Sequence, residues 1–133
     1  KKNNLLPDMA IVAEPTCELI MGDAIKVGRR GSINGTLKII GKQGHAAYPE
    51  KSINPVHILA NILPKLAGHY FDDGDKFFSP SQFVITDIRG GMEVTNVTPD
   101  FVTLMFNIRN NTKTDKLIIS NYIKEACKNI EYK

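Results

Sequence analysis

The chain has 133 residues, of which 42% are hydrophobic and 23% charged. That is the profile of one soluble globular domain with at most a fragment of a second, and it excludes a full (β/α)8 barrel or a two-domain enzyme. The 17 basic and 14 acidic residues leave a net charge of +3, with lysines scattered from Lys1 to Lys133, so no nucleic-acid partner is expected; nor is a membrane, because every apolar run is far shorter than a bilayer span.

Ala10–Ala13 is a short apolar run stopped at Glu14-Pro15, and reads as a buried strand with a carboxylate at its tip. From Ile33 to Ile40 the residues alternate, with Ile33, Leu37 and Ile39 on one face and Asn34, Thr36 and Lys38 on the other, which predicts a half-buried antiparallel strand. Residues Gly41–Pro49 break the pattern and read as a loop. Asn54 then stands as an N-cap with Pro55 at the first helical position; Val56, Leu59, Leu63 and Leu66 form the apolar stripe, Gly68 the stop, and Pro64 a kink or early end.

Asp72–Pro80 is a polar turn region, and Phe83–Arg89 and Val102–Arg109 read as two further strands, the second with Val102, Leu104, Phe106 and Ile108 on one face. Thr112 and Asp115 have capping-box spacing before a last helix striped by Ile119, Ile123, Ala126 and Ile130. The predicted fold class is α+β: a ferredoxin-like two-layer sandwich with an antiparallel sheet and two helices on one face. Its final strand is expected to begin at Glu131-Tyr132-Lys133 and so to be truncated. Residues 1–30 are expected to be a remnant of another domain and linker, and 31–133 the main domain.

Chemistry-bearing residues are sparse. His45, His57 and His69 match no metal-ligand spacing, and Cys17 and Cys127 form no paired motif, which fits reduced thiols in a cytoplasmic protein. His57 and His69 read as surface or packing residues, whereas for His45, inside a Gly-rich loop, function and packing both stay open. Glu14 could be a metal ligand, a base or a solvated strand end. Arg29-Arg30-Gly31-Ser32 could grip a carboxylate or phosphate, with at most one arginine facing a given ligand because neighbours on a strand point opposite ways; Asn96 and Arg109, at strand ends, suit anion and amide recognition but serve equally as ordinary loop residues.

Taken together, Glu14-Pro15-Thr16, the stretch Lys26 to Ser32, Gly41-Lys42-Gln43-Gly44-His45-Ala46-Ala47-Tyr48-Pro49, Asn54-Pro55, Thr95-Asn96-Val97-Thr98-Pro99 and Phe106-Asn107-Ile108-Arg109 resemble the dinuclear zinc aminoacylase and carboxypeptidase family. Within it, the branch that removes succinate from N-succinyl-LL-2,6-diaminopimelate fits better than the acetylornithine deacetylases and the di- and tripeptidases. The resemblance implies a cytoplasmic homodimeric hydrolase in which two zinc ions activate water. Glu14 matches a zinc ligand, His45 a histidine that reaches the neighbouring subunit's site to stabilise an oxyanion, and Arg29, Ser32, Tyr48, Asn96 and Arg109 positions that contact the small-molecule substrate. The family's His-x-Asp pair, bridging aspartate, Glu-Glu base and late histidine have no match. The expectation is therefore a lid and dimerisation domain that binds no zinc pair and hydrolyses nothing alone. The alternative is a stand-alone binding module, for which the strand aromatics Phe83, Phe101 and Phe106 lack an RNA-binding signature.

Overall fold

A computed structural model describes residues 8, 9, 11, 16–26 and 28–133. The strand expected over Ala10–Ala13 and the Glu14 carboxylate at its tip lie outside the described residues, apart from Ile11. The elements in chain order are β1 (Ile33–Ile40), β2 (Gly44–His45), a 3-10 turn (Pro49–Lys51), α1 (Pro55–Leu66), β3 (Phe83–Gly90), β4 (Val97–Thr98), β5 (Phe101–Ile108) and α2 (Lys116–Ala126). Among the described residues no helix is long and apolar enough to cross a membrane.

The main sheet is antiparallel in the order β1-β5-β3, with Ile33 opposite Ile108 and Ile40 opposite Phe101, and Phe83 also opposite Ile108. At the free edge of β1, Tyr132 bridges to Ile39, and Lys38 and Lys133 exchange backbone hydrogen bonds of 2.9 Å in both directions. Residues 131–133 thus occupy the fourth position of a ferredoxin-like sheet, where the last strand was expected to begin. One face of the sheet presents Leu37, Ile39, Val102, Leu104, Phe106, Ile108 and Phe83, and this face is buried against Leu59, Ile62 and Leu66 of α1 and Ile119 and Ala126 of α2. The two-period alternation of the strands and the three-and-four spacing of the helices are what allow a single apolar layer between them.

Four local expectations change. The segment Gly41–Pro49 is not plain loop, because Gly44–His45 pairs with Val97–Thr98 in a small second sheet. Strands of two residues leave no periodic trace in a sequence. On α1, Asn54 Oδ1 accepts the Val56 N–H at 3.0 Å as expected, but Val56 is exposed and Ile62 takes its place in the buried stripe. Pro64 sits inside α1, which runs on to Leu66 before Gly68 adopts a positive φ of 72°. Finally, α2 is capped by Asp115 and not by a Thr112 box: Asp115 Oδ1 accepts the Ile118 N–H at 2.9 Å. Thr114, just before it, is drawn inward to donate to Asp72 at 2.6 Å, which leaves Asp115 as the first residue free to cap.

Candidate functional site

The site residues expected from sequence fall into two groups at opposite ends of β1. Ser32 and Arg109 flank the Ile33–Ile108 pair, and Asn107 Nδ2 donates to Ser32 Oγ at 2.9 Å. The Gly31 N–H donates to the Asn110 carbonyl at 2.8 Å, joining the segment before β1 to the one after β5. Next to this junction lies an open cavity of about 460 Å³ lined by Lys26, Gly28, Arg29, Arg30, Phe77, Phe78 and Arg109. Arg30 and Arg109 also line an adjoining cavity of about 500 Å³ that includes Tyr70, Asp72, Asp73 and Gln82.

Four cationic side chains therefore line one cavity, with both Arg29 and Arg30 among them where the strand rule allows at most one. The reason is that residues 28–32 have no regular structure, so the opposite-face rule for a strand does not separate Arg29 from Arg30. Lys26 is legible in the sequence only as a member of the basic run that holds Arg29 and Arg30. Clustered guanidinium and ammonium groups with polar hydroxyl and amide neighbours suit multiple carboxylates, through charge-assisted and bidentate hydrogen bonds.

The second group, His45, Tyr48 and Asn96, lies beyond the Ile40–Phe101 end. His45 is opposite Val97 in the small sheet, and the Ala46 N–H donates to the Asn96 carbonyl at 2.8 Å. Tyr48 is exposed, its ring 6.0 Å from the imidazole, and Lys51 Nζ stands 4.6 Å above the Tyr48 ring. The Ala47 N–H donates to His45 Nδ1 at 3.1 Å. With Nδ1 engaged as an acceptor, the neutral ring carries its proton on Nε2, a donor on an exposed side chain. Eight residues of strand separate the two groups, a span of about 23 Å at roughly 3.3 Å per residue.

His57 is exposed on α1, as expected for a surface residue. His69 packs: it stacks on Tyr122 at 3.9 Å and meets Phe71 edge-on at 4.9 Å, and burial lowers its pKa. Among the described residues no three His, Cys, Asp or Glu side chains come together as a metal-ligating group. They do not fit a dinuclear zinc centre.

The peptidase dimerisation domain of the M20 family matches residues 27–133. Three relatives named succinyl-diaminopimelate desuccinylase align over 132 residues: that of Nautilia profundicola is 67% identical, that of Aliarcobacter butzleri 62% and that of Sulfurimonas denitrificans 58%. Each alignment takes in 99% of this chain and 36% of the relative, so the chain spans about a third of the length of these proteins. Among solved structures, a tripeptidase from Staphylococcus aureus superposes with a TM-score of 0.51 at 23% identity, covering 71% of this chain and 23% of that one. The aminopeptidase PepT of Bacillus cereus gives 0.50 at 20% identity, covering 80% of this chain and 32% of that one. These two share the fold. With the family's domain matched over nearly all of the described residues, on a sheet-and-two-helix sandwich of the same build, the chain belongs to the M20 peptidase dimerisation domain family.

Proposed function

We propose that this chain is the dimerisation and lid portion of a cytoplasmic amidohydrolase that cleaves N-succinyl-LL-2,6-diaminopimelate to succinate and LL-2,6-diaminopimelate, in the synthesis of lysine and peptidoglycan precursors. The observation that carries the choice of substrate is the convergence of Lys26, Arg29, Arg30 and Arg109 on one cavity. The succinylated substrate carries three carboxylates and one ammonium group, whereas acetylornithine carries one of each. A cavity lined by four cationic side chains suits the three carboxylates of the first better than the single carboxylate of the second. Residues 1–30, Glu14 among them, belong in this reading with the catalytic portion of the longer protein. The zinc ions implied by the resemblance would be held there and would supply an activated water.

The roles of this chain's own residues follow from their chemistry. Arg29, Arg109 and Ser32, with Arg30 and Lys26, bind and orient substrate carboxylates. His45, its Nδ1 held by the Ala47 N–H, directs an Nε2–H toward the oxyanion that develops as the amide carbonyl is attacked. Tyr48 and Asn96, gathered at the same end of the sheet, contact the substrate beside that imidazole. Because the two groups lie about 23 Å apart along the sheet, one small substrate cannot touch both in a single protomer. The reading therefore requires a homodimer in which His45 serves the neighbouring copy's site. The experiment is a comparison of kcat/KM for the two substrates on the full-length protein. The expected preference for the succinylated compound is about a hundredfold or more; equal or better turnover of acetylornithine would overturn the assignment.

A further inference from the structure

Gly44, the residue before His45, has the least restricted backbone of any residue type, so the direction of the imidazole depends on how that glycine is held. Thr98 holds it from both sides. The Gly44 N–H donates to Thr98 Oγ1 at 3.0 Å, and the same hydroxyl donates to the Gly44 carbonyl at 3.2 Å, across a partly buried contact between β2 and β4. The rear of Gly44 is closed as well, since a Cβ there would lie 2.6 Å from Ser52 Cβ. Lys42 and Ile53 exchange backbone hydrogen bonds of 2.8 and 2.9 Å at the base of the loop, and Ser52 Oγ donates to the Pro49 carbonyl at 3.1 Å. The loop is thus a closed unit whose link to the 90–99 connection, on the His45 side, runs through the Thr98 hydroxyl and the small ladder.

We infer that Thr98 is the positioning residue for His45: its hydroxyl clips both backbone groups of Gly44 and so fixes where the Nε2–H points. This rests on the reading of His45 as the oxyanion donor. Thr98 acts on the imidazole through the Gly44 backbone. A displacement of about 1 Å in an oriented catalytic group can cost on the order of a hundredfold in rate. Thr98→Val keeps the β-branched shape of the strand residue and removes the hydroxyl alone.

The test uses the full-length protein with the variants Thr98→Val, Thr98→Ser, His45→Ala and the double variant His45→Ala/Thr98→Val. Thr98→Val should lower kcat by about 10- to 100-fold with KM within about twofold, and Thr98→Ser should recover most of it. In the His45→Ala background, Thr98→Val should change kcat by less than about twofold, because the group it positions is gone. A Thr98→Val loss of equal size in both backgrounds would mean a general structural role and overturn the inference, as would a Thr98→Val enzyme of full activity. If His45→Ala itself keeps full kcat, the oxyanion reading fails and takes this inference with it, which separates the two failures.

Discussion

Asp72 shows how one side chain can fix the end of the sheet where the cations gather. Its carboxylate accepts hydrogen bonds from Asn111 Nδ2 at 2.6 Å, Thr114 Oγ1 at 2.6 Å and the Gly74 N–H at 2.7 Å, tying the turn after α1 to the segment that follows Arg109. Asn111 and Thr114 are buried, and the Asn111 N–H donates in turn to the buried Ser81 hydroxyl at 3.0 Å. Burial by itself pushes the Asp72 pKa up, but hydrogen bonds from Thr114, Ser81, Asn111 and Gly74 together hold it well below the usual carboxylate range. The folded value lies below the unfolded one, so the stabilisation is present above an unfolded pKa of about 3.9 and is lost as pH falls toward the folded value. Asp72→Asn should lower stability at pH 7 by about 1–2 kcal/mol. Urea unfolding of the two proteins at a series of pH values should show that gap narrowing progressively as pH falls below about 4. A gap constant with pH would contradict a role for the ionised form. None of this was legible in the sequence, where Asp72–Pro80 is a polar turn and Asn111 and Thr114 lie some forty residues away.

At the scale of elements, β1 and β5 were readable because each alternates without interruption, and the register places the two alternations on the same face. The pairing also sets Gly35 opposite Phe106, whose ring covers the bare backbone of the glycine and stacks on Phe83 at 4.5 Å. A Cβ at position 35 would run into that ring, so Gly35→Ala must displace Phe106 from the core. The expected cost is about 1–3 kcal/mol, part of which the smaller side chain of Phe106→Leu should restore in the double variant. Thermal unfolding of the three variants checks this, and a neutral Gly35→Ala would show that the ring has room to move. The start of α2 was misplaced for the opposite reason. Thr112 and Asp115 have the right local spacing, but the partner that draws in Thr114 is distant in sequence, and local patterning cannot register it. Likewise β2 and β4 are too short for any period, although they hold His45.

For the molecule as a whole, motif resemblance names candidate residues but says nothing of their arrangement. Arg29, Ser32 and Arg109 gather at one end of the sheet, while His45, Tyr48 and Asn96 gather at the other. Sequence order mixes the two sets, and only the antiparallel path of β1 and β5 sorts them. The sorting underlies the central proposal that a working site takes one set from each of two copies. Mixing two inactive full-length variants, His45→Ala and Arg109→Ala, in equal amounts under conditions of subunit exchange tests it most directly. If the sets act across the dimer, half of the dimers are mixed and each mixed dimer regains one intact site, so activity should return to about one quarter of wild type. If both residues serve the same protomer's site, every mixed dimer carries a defect in each site, and an absence of recovered activity would contradict the account.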